Sequence, residues 1–327
     1  MTSTSHKRGL GLGLALLSAA TFSTSGSFAR SLLNAGWSPA AAVTARVTFA
    51  ALMLAIPTLW SLRGRWDVVR RNFGLILTYG VIAVAGGQLM YFNAVEHLSV
   101  GVALLLEYLG TVLVVGWMWL RHGHKPRRLT MIGSAVAMLG LVFVLDLAGN
   151  TRLDPIGVLW GLAAAVGLAT YYVLSAKGDD DMPPLVIAGA GMVIAALTLL
   201  VASGVGILPL RATFGSVEFA GRTVSWIVPV LGLSLVAAAI AYVVGIGAAR
   251  ILGPKLSSFV GLTEVLFAVF FAWLFLNELP TSTQLMGGAF IVGGVVLVHI
   301  DEMRSPASPA PAIPATEGQA EVAPWAA

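Results

Sequence analysis

The 327-residue sequence predicts an all-α integral membrane protein with ten transmembrane helices in two inverted five-helix repeats and both termini in the cytoplasm. Three observations carry that prediction. The composition suits lipid better than water. The apolar runs are of helix length, and their connectors alternate in basic charge. The chain also contains a copy of itself.

Hydrophobic residues make up 57% of the chain and charged residues only 10%, against about 25% charged in a soluble domain. So few charges cannot cover a hydrophobic core of this length. Glycine is abundant, at 37 residues, and small residues let membrane helices approach closely. A membrane barrel would alternate polarity along each strand, whereas these apolar runs are continuous. The absence of cysteine excludes disulfides, thiolate metal sites and a cysteine nucleophile.

A span needs about 20 mostly apolar residues. Ten runs qualify, near 9–29, 39–62, 72–92, 98–120, 129–147, 155–176, 185–207, 224–249, 256–276 and 282–300. Breakers separate them at Trp37-Ser38-Pro39, Asp154-Pro155, Met182-Pro183-Pro184, Gly253-Pro254 and Leu279-Pro280. The first run, "HKRGLGLGLALLSAATFSTSGSFA", has the basic start and small residue (Ala29) of a signal peptide. Retained as a span, it completes a clean charge asymmetry. From Ser305 onward, "SPASPAPAIPATEGQAEVAPWAA" is rich in Pro and Ala without apolar periodicity, and it reads as a disordered tail.

Cytoplasmic loops collect Lys and Arg. With the N-terminus inside, the inner segments hold 14 of the 19 basic residues, from Lys7 and Arg8 to Arg250, Lys255 and Arg304. The outer segments hold four: Arg30, Arg152, Arg211 and Arg222. Arg46 lies within a span. The net charge of +4 is therefore a topology signal, and nucleic acid is not an expected partner.

The stretch "YFNAVEHLSVGVALLLEYLGTVLVVGWMWL", from Tyr91, has a second version in "YVVGIGAARILGPKLSSFVGLTEVLFAVFFAWLFL", from Tyr242. Each has a tyrosine at the end of one span, then a span with a lone glutamate (Glu107, Glu264), then a tryptophan (Trp117, Trp273). Each is followed by a span with glycines seven residues apart: Gly133 and Gly140 in one, Gly287 and Gly294 in the other. With small gaps, the two glutamates fall within one residue of matching. Residues 1–150 read as the first repeat, 151–303 as the second, and 304–327 as a cytoplasmic tail. Five is odd, so the second copy enters the membrane from the opposite side. Secondary transporters are often built this way, with the substrate site near midplane between the halves.

These landmarks resemble the drug/metabolite transporter superfamily, specifically its EamA-type family with two five-helix inverted repeats. The resemblance covers about residues 9–300. It rests on "EYLGTVLVV", on "LGPKLSSFVGLTEVLFAVFFAWLFLNELPTSTQLMGGAFIVGGVVLV" and on Arg46 in "ARVTFAALML". "FLNELPTSTQLMGG" is similar to the family's glutamate-then-glycine signature, but the first repeat has no counterpart to Glu278, which leaves that residue a structural reading. The resemblance implies a ten-helix carrier of small metabolites in a bacterial inner membrane. "EYLG" is similar to a branch that exports amino acids such as threonine and homoserine.

A charge at the bilayer centre costs about 2.5–3.5 kcal/mol on insertion scales, so such residues face the bundle interior and usually serve a function or a partner. At 1.5 Å per residue, Arg46 and Glu107 both lie roughly 11–14 Å from the outer side. They are expected to form an ion pair. Glu264 has no basic residue at comparable depth. Desolvation favours the neutral form of a carboxyl, which suits proton coupling or binding of a substrate ammonium. Gln88, Tyr91 and Asn93 at the end of span three, Tyr171 and Tyr172 in span six, and Tyr242 in span eight are further candidates to line a cavity. So is the cluster Thr21, Ser23, Thr24 and Ser25. Tyr91 and Tyr242 stand out because the repeat places them equivalently.

The expected function is a secondary transporter, and more specifically an exporter, of a small metabolite such as an amino acid. It works by alternating access with proton coupling, and its partners are substrate, protons and the lipid bilayer. A lipid or lipid-precursor flippase of the same fold is one alternative. A membrane-embedded enzyme is the other, but no H-E-x-x-H or G-x-S-x-G motif is present. Asp179, Asp180 and Asp181 read as a solvated turn. No catalytic residue, metal or cofactor is expected.

Overall fold

The computed structural model describes residues 2–98, 100–123, 126–145, 154–177, 182–276 and 279–304. Glu278, the aspartates at 179–181 and the tail beyond Arg304 lie outside the described residues. In chain order the helices are α1 (Thr2–Ser23), α2 (Ser25–Asn34), α3 (Pro39–Ser61), α4 (Trp66–Arg71), α5 (Phe73–Thr78), α6 (Gly87–His97), α7 (Val100–Tyr108) and α8 (Gly110–His122). There follow α9 (Arg128–Val144), α10 (Pro155–Ser175), α11 (Pro184–Gly204), α12 (Ile227–Leu231), α13 (Ala241–Gly261), α14 (Thr263–Leu276) and α15 (Ser282–Met303). Two π-helical segments interrupt them. π1 (Tyr79–Gly86) joins α5 to α6, and π2 (Gly232–Ile240) joins α12 to α13.

The breakers in the sequence act as helix starts. Ser38 accepts from the Ala41 amide (3.2 Å) ahead of Pro39, and Asp154 accepts from the Ile156 amide (2.9 Å) ahead of Pro155. Thr281 and Gln284 form a reciprocal capping box on α15. Each side-chain acceptor satisfies an amide that has no partner inside its own helix.

Among the described residues, eight helical runs are long and apolar enough to cross a membrane. Seven of the expected spans coincide with one run each. The expected eighth and ninth spans meet inside Ile227–Gly261, where Gly253 (φ 79°, ψ 166°) leaves the helical region just before Pro254. The left-handed φ suits glycine, and the following proline disfavours helical backbone before it. The expected fifth span is α9, a shorter helix of 17 residues.

One element departs from the all-α expectation. β1 (Ser216–Phe219) and β2 (Arg222–Ser225) form an antiparallel hairpin. Phe219 pairs with Arg222, and the turn residues Ala220 and Gly221 both have positive φ (51° and 71°). This is the turn geometry whose twist matches a two-stranded ribbon. Strands of four residues are too short to stand out by periodicity.

The outer surface is greasy: Ile56, Trp60, Leu120 and Leu159 are exposed, whereas Arg46, Thr130 and Asp301 are buried. The packing between halves is reciprocal. α1 packs extensively on α13, and α10, its counterpart in the second half, packs extensively on α6. The most extensive contact joins α9 to α15. A Cβ on Gly133 would meet the Gly294 carbonyl at 2.9 Å, and one on Gly140 would meet the Gly287 carbonyl at 2.6 Å. The converse contacts also hold: Gly294 lies against the Gly133 carbonyl and Gly287 against the Gly140 carbonyl, each at 2.6 Å. Exchanging Gly133 with Gly287 and Gly140 with Gly294 maps this contact set onto itself. The pairing of 133 with 294 and 140 with 287 runs antiparallel, so the local two-fold axis is perpendicular to the helices. Only glycine permits backbones this close.

Candidate functional site

α3 carries Arg46 into the interior, where it is 4% exposed. Its Nη1 donates to Ser25 Oγ (3.2 Å) at the start of α2 and to Gln88 Oε1 (3.1 Å) on α6. Its Nη2 donates to the Ala237 carbonyl (2.6 Å) in π2. The guanidinium also stands over the Phe22 ring, 5.9 Å from its centroid. A π-type turn within a helix is rare and often marks a functional position. Here π2 supplies the acceptor, and Gln88 follows directly after π1.

The expected ion pair between Arg46 and Glu107 is not formed. Among the described residues, no carboxylate lies within 4.0 Å of the guanidinium. The side chain turns toward α2, α6 and π2, and neutral acceptors receive its hydrogen bonds. Arg46, Glu107 and Glu264 still act on one another electrostatically. Glu264 is therefore not isolated: it shares Arg46 with Glu107 and neighbours the Tyr108 hydroxyl. The buried Arg46 of α3 and the half-buried Glu107 of α7 and Glu264 of α14 thus share one electrostatic neighbourhood where the two halves join.

The helical hydrogen-bond ladder is interrupted for one residue beside each glutamate, with the backbone still in the right-handed helical region. α7 and α8 are divided at Leu109, and α13 and α14 at Leu262. Glu107 lies two residues before its break and Glu264 two residues after. Overlaid on the breaks, Thr111 takes the place of Glu264, one helical turn from Glu107. The match within one residue is thus corrected. Overlaid on the ends of π1 and π2, Tyr242 corresponds to Gln88 rather than to Tyr91. The Tyr242 hydroxyl and the Gln88 amide also meet each other.

Five of the six tyrosines of the chain interact with these groups, and Tyr79 joins them through Tyr171. Tyr171 packs on Tyr172, Tyr242 and Tyr79, with ring centroids 4.9, 5.4 and 6.0 Å apart. Phe22 stands edge-on to Tyr242 at 5.0 Å. Tyr91 and Tyr108 both neighbour Glu107 and Glu264. Gly245 and Gly261 make room for the Tyr171 and Tyr172 hydroxyls, which a Cβ at either position would strike. Asn93 donates to the Leu89 carbonyl of its own helix (2.7 Å). Thr21, Ser23 and Thr24 likewise bond back to their own helix, so Ser25 alone of that cluster reaches Arg46. Phe22, Tyr79 and Tyr108 were not singled out in the sequence. The available signal was that every tyrosine falls inside an apolar span.

Ser18, Phe22, Tyr171, Tyr172, Ser257 and Glu264 help line a cavity of about 20 Å³. That is room for roughly one water molecule. A larger concavity of about 300 Å³ lies between α14 and α15, among Leu266, Val269, Phe270, Trp273 and Leu285. It is lined almost wholly by apolar side chains.

The sequence pattern described as the EamA-like transporter family matches residues 9–146 and 155–300. The chain is similar to an "Uncharacterized transporter" of Clostridium kluyveri, 24% identical over 72% of this chain and 74% of that protein. It is 26% identical to a "Probable terminal-alkyne amino-acid exporter" of Streptantibioticus cattleyicolor, over 81% of this chain and 85% of that one. A shorter stretch is 31% identical to the pseudopaline exporter CntI of Pseudomonas aeruginosa, over 28% of this chain and 32% of that protein. A crystal structure that is 20% identical overlays with a TM-score of 0.69, over 92% of this chain and 99% of the other, which supports the fold.

Proposed function

Because the chain belongs to the EamA-like transporter family, within the drug/metabolite transporter superfamily, we propose that it exports a small metabolite such as an amino acid across the cytoplasmic membrane by alternating access. The observation that carries this reading is the group of buried Arg46 with half-buried Glu107 and Glu264, set among tyrosines between two matched halves. Buried charges within a span are costly and are retained for function. Arg46 suits a carboxylate, the glutamates suit an ammonium, and the rings suit apolar side chains. The site residues in this reading are Arg46, Gln88, Tyr91, Glu107, Tyr171, Glu264 and Tyr242. Asn93 is the weakest member, since its amide serves its own helix.

The ten-span, N-in/C-in arrangement belongs to the same proposal, with repeats at 1–150 and 151–303 and a cytoplasmic tail at 304–327. Hydrogen bonds support two consistent ends. Connector 35–38 bonds to 209–213 on one side, and Arg127 donates to the Arg304 carbonyl on the other. A reporter fused after Arg304 is expected to behave as cytoplasmic.

The test is uptake of a panel of labelled amino acids into inverted vesicles under an imposed pH gradient. Uptake of at least one, dependent on the gradient, is expected. Glu264→Gln keeps the shape of the side chain and cannot titrate. It is expected to retain substrate binding and to lose the gradient dependence across pH 5.5 to 8.5. An unchanged profile would assign Glu264 to packing and return the coupling to Glu107. The apolar concavity between α14 and α15 favours a second reading, a lipid or lipid-precursor flippase. Scrambling of labelled lipid in the same vesicles, without amino-acid uptake, would select it.

A further inference from the structure

We propose that Arg46 is the subsite for a substrate carboxylate and, through Ser25, the latch of a gate formed by α2 and the β1–β2 hairpin. This rests on the transporter reading and adds a ligand chemistry and a moving part to it.

The guanidinium is buried and has no ion-pair partner within 4.0 Å among the described residues. Its acceptors are a hydroxyl, an amide and a backbone carbonyl. A carboxylate matches the planar fork of arginine with two parallel bonds, each about twice as strong as a neutral one. Ser25 and Gln88 share a single nitrogen, Nη1. Nη1 has two N–H groups, enough for one bond to each. In this proposal the substrate carboxylate takes the N–H that Ser25 holds.

Ser25 is also the first residue of α2, and the joint before it is weak. α1 ends at Ser23, and the amides of Thr24 and Phe28 make long bonds of 3.4 and 3.3 Å across the break. Two sets of contacts hold α2 from its other sides. Phe28 stacks on Phe219 of the hairpin at 5.0 Å, with rings 17° from parallel. At the end of α2, the Thr213 hydroxyl donates to the Ala35 carbonyl (2.6 Å) and Trp37 Nε1 donates to the Thr213 carbonyl (2.8 Å). Beneath α2, Leu32 is wholly buried in a cluster with Leu233 and Ala237 of π2. So α2 and the hairpin form one flap, jointed at Thr24 and fastened from below by Arg46. Displacing Ser25 removes the polar fastening when the carboxylate binds, and the apolar contacts around Leu32 are what then part as the flap lifts.

The chain has no cysteine, so a single Leu32→Cys reports on the flap. In reconstituted vesicles this thiol meets a membrane-impermeant maleimide only when α2 lifts. Ser25→Ala and Arg46→Gln are each expected to speed labelling about tenfold, the worth of a hydrogen bond to a charged group. Phe219→Ala, which leaves Arg46 intact, is expected to speed it from the hairpin side. The probes are a mixture of the amino acids other than cysteine, aspartate and glutamate, and the corresponding decarboxylated amines. The amino acids are expected to speed labelling in the chain with Arg46, the amines to have no effect, and Arg46→Gln to abolish the response. Labelling equal to the parent in both Ser25→Ala and Arg46→Gln would overturn the latch. An equal response to amines, or no response to amino acids, would overturn the carboxylate subsite. Labelling requires no net transport, so these outcomes stay distinct from failure of the uptake assay.

Discussion

The two ends of the bundle are closed by different chemistry. At one end, Lys255 Nζ meets Glu302 (2.5 Å) and Asp301 (3.7 Å), while Asp301 accepts from the Thr130 hydroxyl (2.5 Å). Nearby, Arg250 donates to the Met182 carbonyl. At the other end, Trp37 packs on Trp226 and Phe214, at 5.8 and 6.1 Å, and neutral hydrogen bonds tie 35–38 to 209–213. Separating ions restores their hydration, while separating rings exposes apolar area. The Lys255 end should therefore open against a desolvated charge network, and the Trp37 end against hydrophobic burial.

Substitutions at each end can break this contrast. The largest effect is expected from Asp301→Ala. Asp301 is 2% exposed, and losing one partner of a buried ion pair costs about 3–5 kcal/mol. Thermal unfolding in detergent measures it. Replacing both partners, Lys255→Met with Asp301→Leu, should recover part of the loss. Trp37→Ala is next, at about 3 kcal/mol, since a buried aromatic and its hydrogen bond are removed together. That loss should not change with ionic strength. If added salt altered the Trp37 effect as much as the Asp301 effect, the distinction between the ends would fall.

The smallest effect concerns the exposed pair of His97 and Asp154, 3.0 Å apart. The Ile156 amide, and then His97, hold the Asp154 carboxyl below its ordinary range. A depressed carboxylate adds stability above its unfolded value, about 3.9, and loses it as pH falls through the folded value. Asp154→Asn keeps a capping side chain and removes the titration. Its melting temperature should fall less than that of the parent as pH drops from 5 to below 3.

The sequence revealed most of this frame because its signals are local or strictly spaced. Pro39, Pro155 and Pro184 mark helix starts by their own geometry. Gly133, Gly140, Gly287 and Gly294 mark the most extensive helix contact by their shared spacing. Depth along a span also brought Arg46 and Glu107 to one region, but it set Glu264 apart from them. Which partner Arg46 chooses was not legible. It depends on how α3 is rotated and on the carbonyl that π2 presents, and neither has a periodic signature. The counterpart of Tyr242 was misread for a related reason, since matching π segments shifts the register by three residues. The hairpin did leave a trace. Ala220-Gly221 separates Val217-Glu218-Phe219 from Arg222-Thr223-Val224, a two-residue turn between short alternating runs.

The glycine seam between α9 and α15 bears on how such a molecule could work. Its contacts are unchanged when the two halves trade places. Alternating access in an inverted repeat is such a trade: each half adopts the shape the other has just left. Contacts invariant under that exchange need not break during it. The seam would then be the stationary part of the machine, and the work of opening would fall to the helices on either side of it.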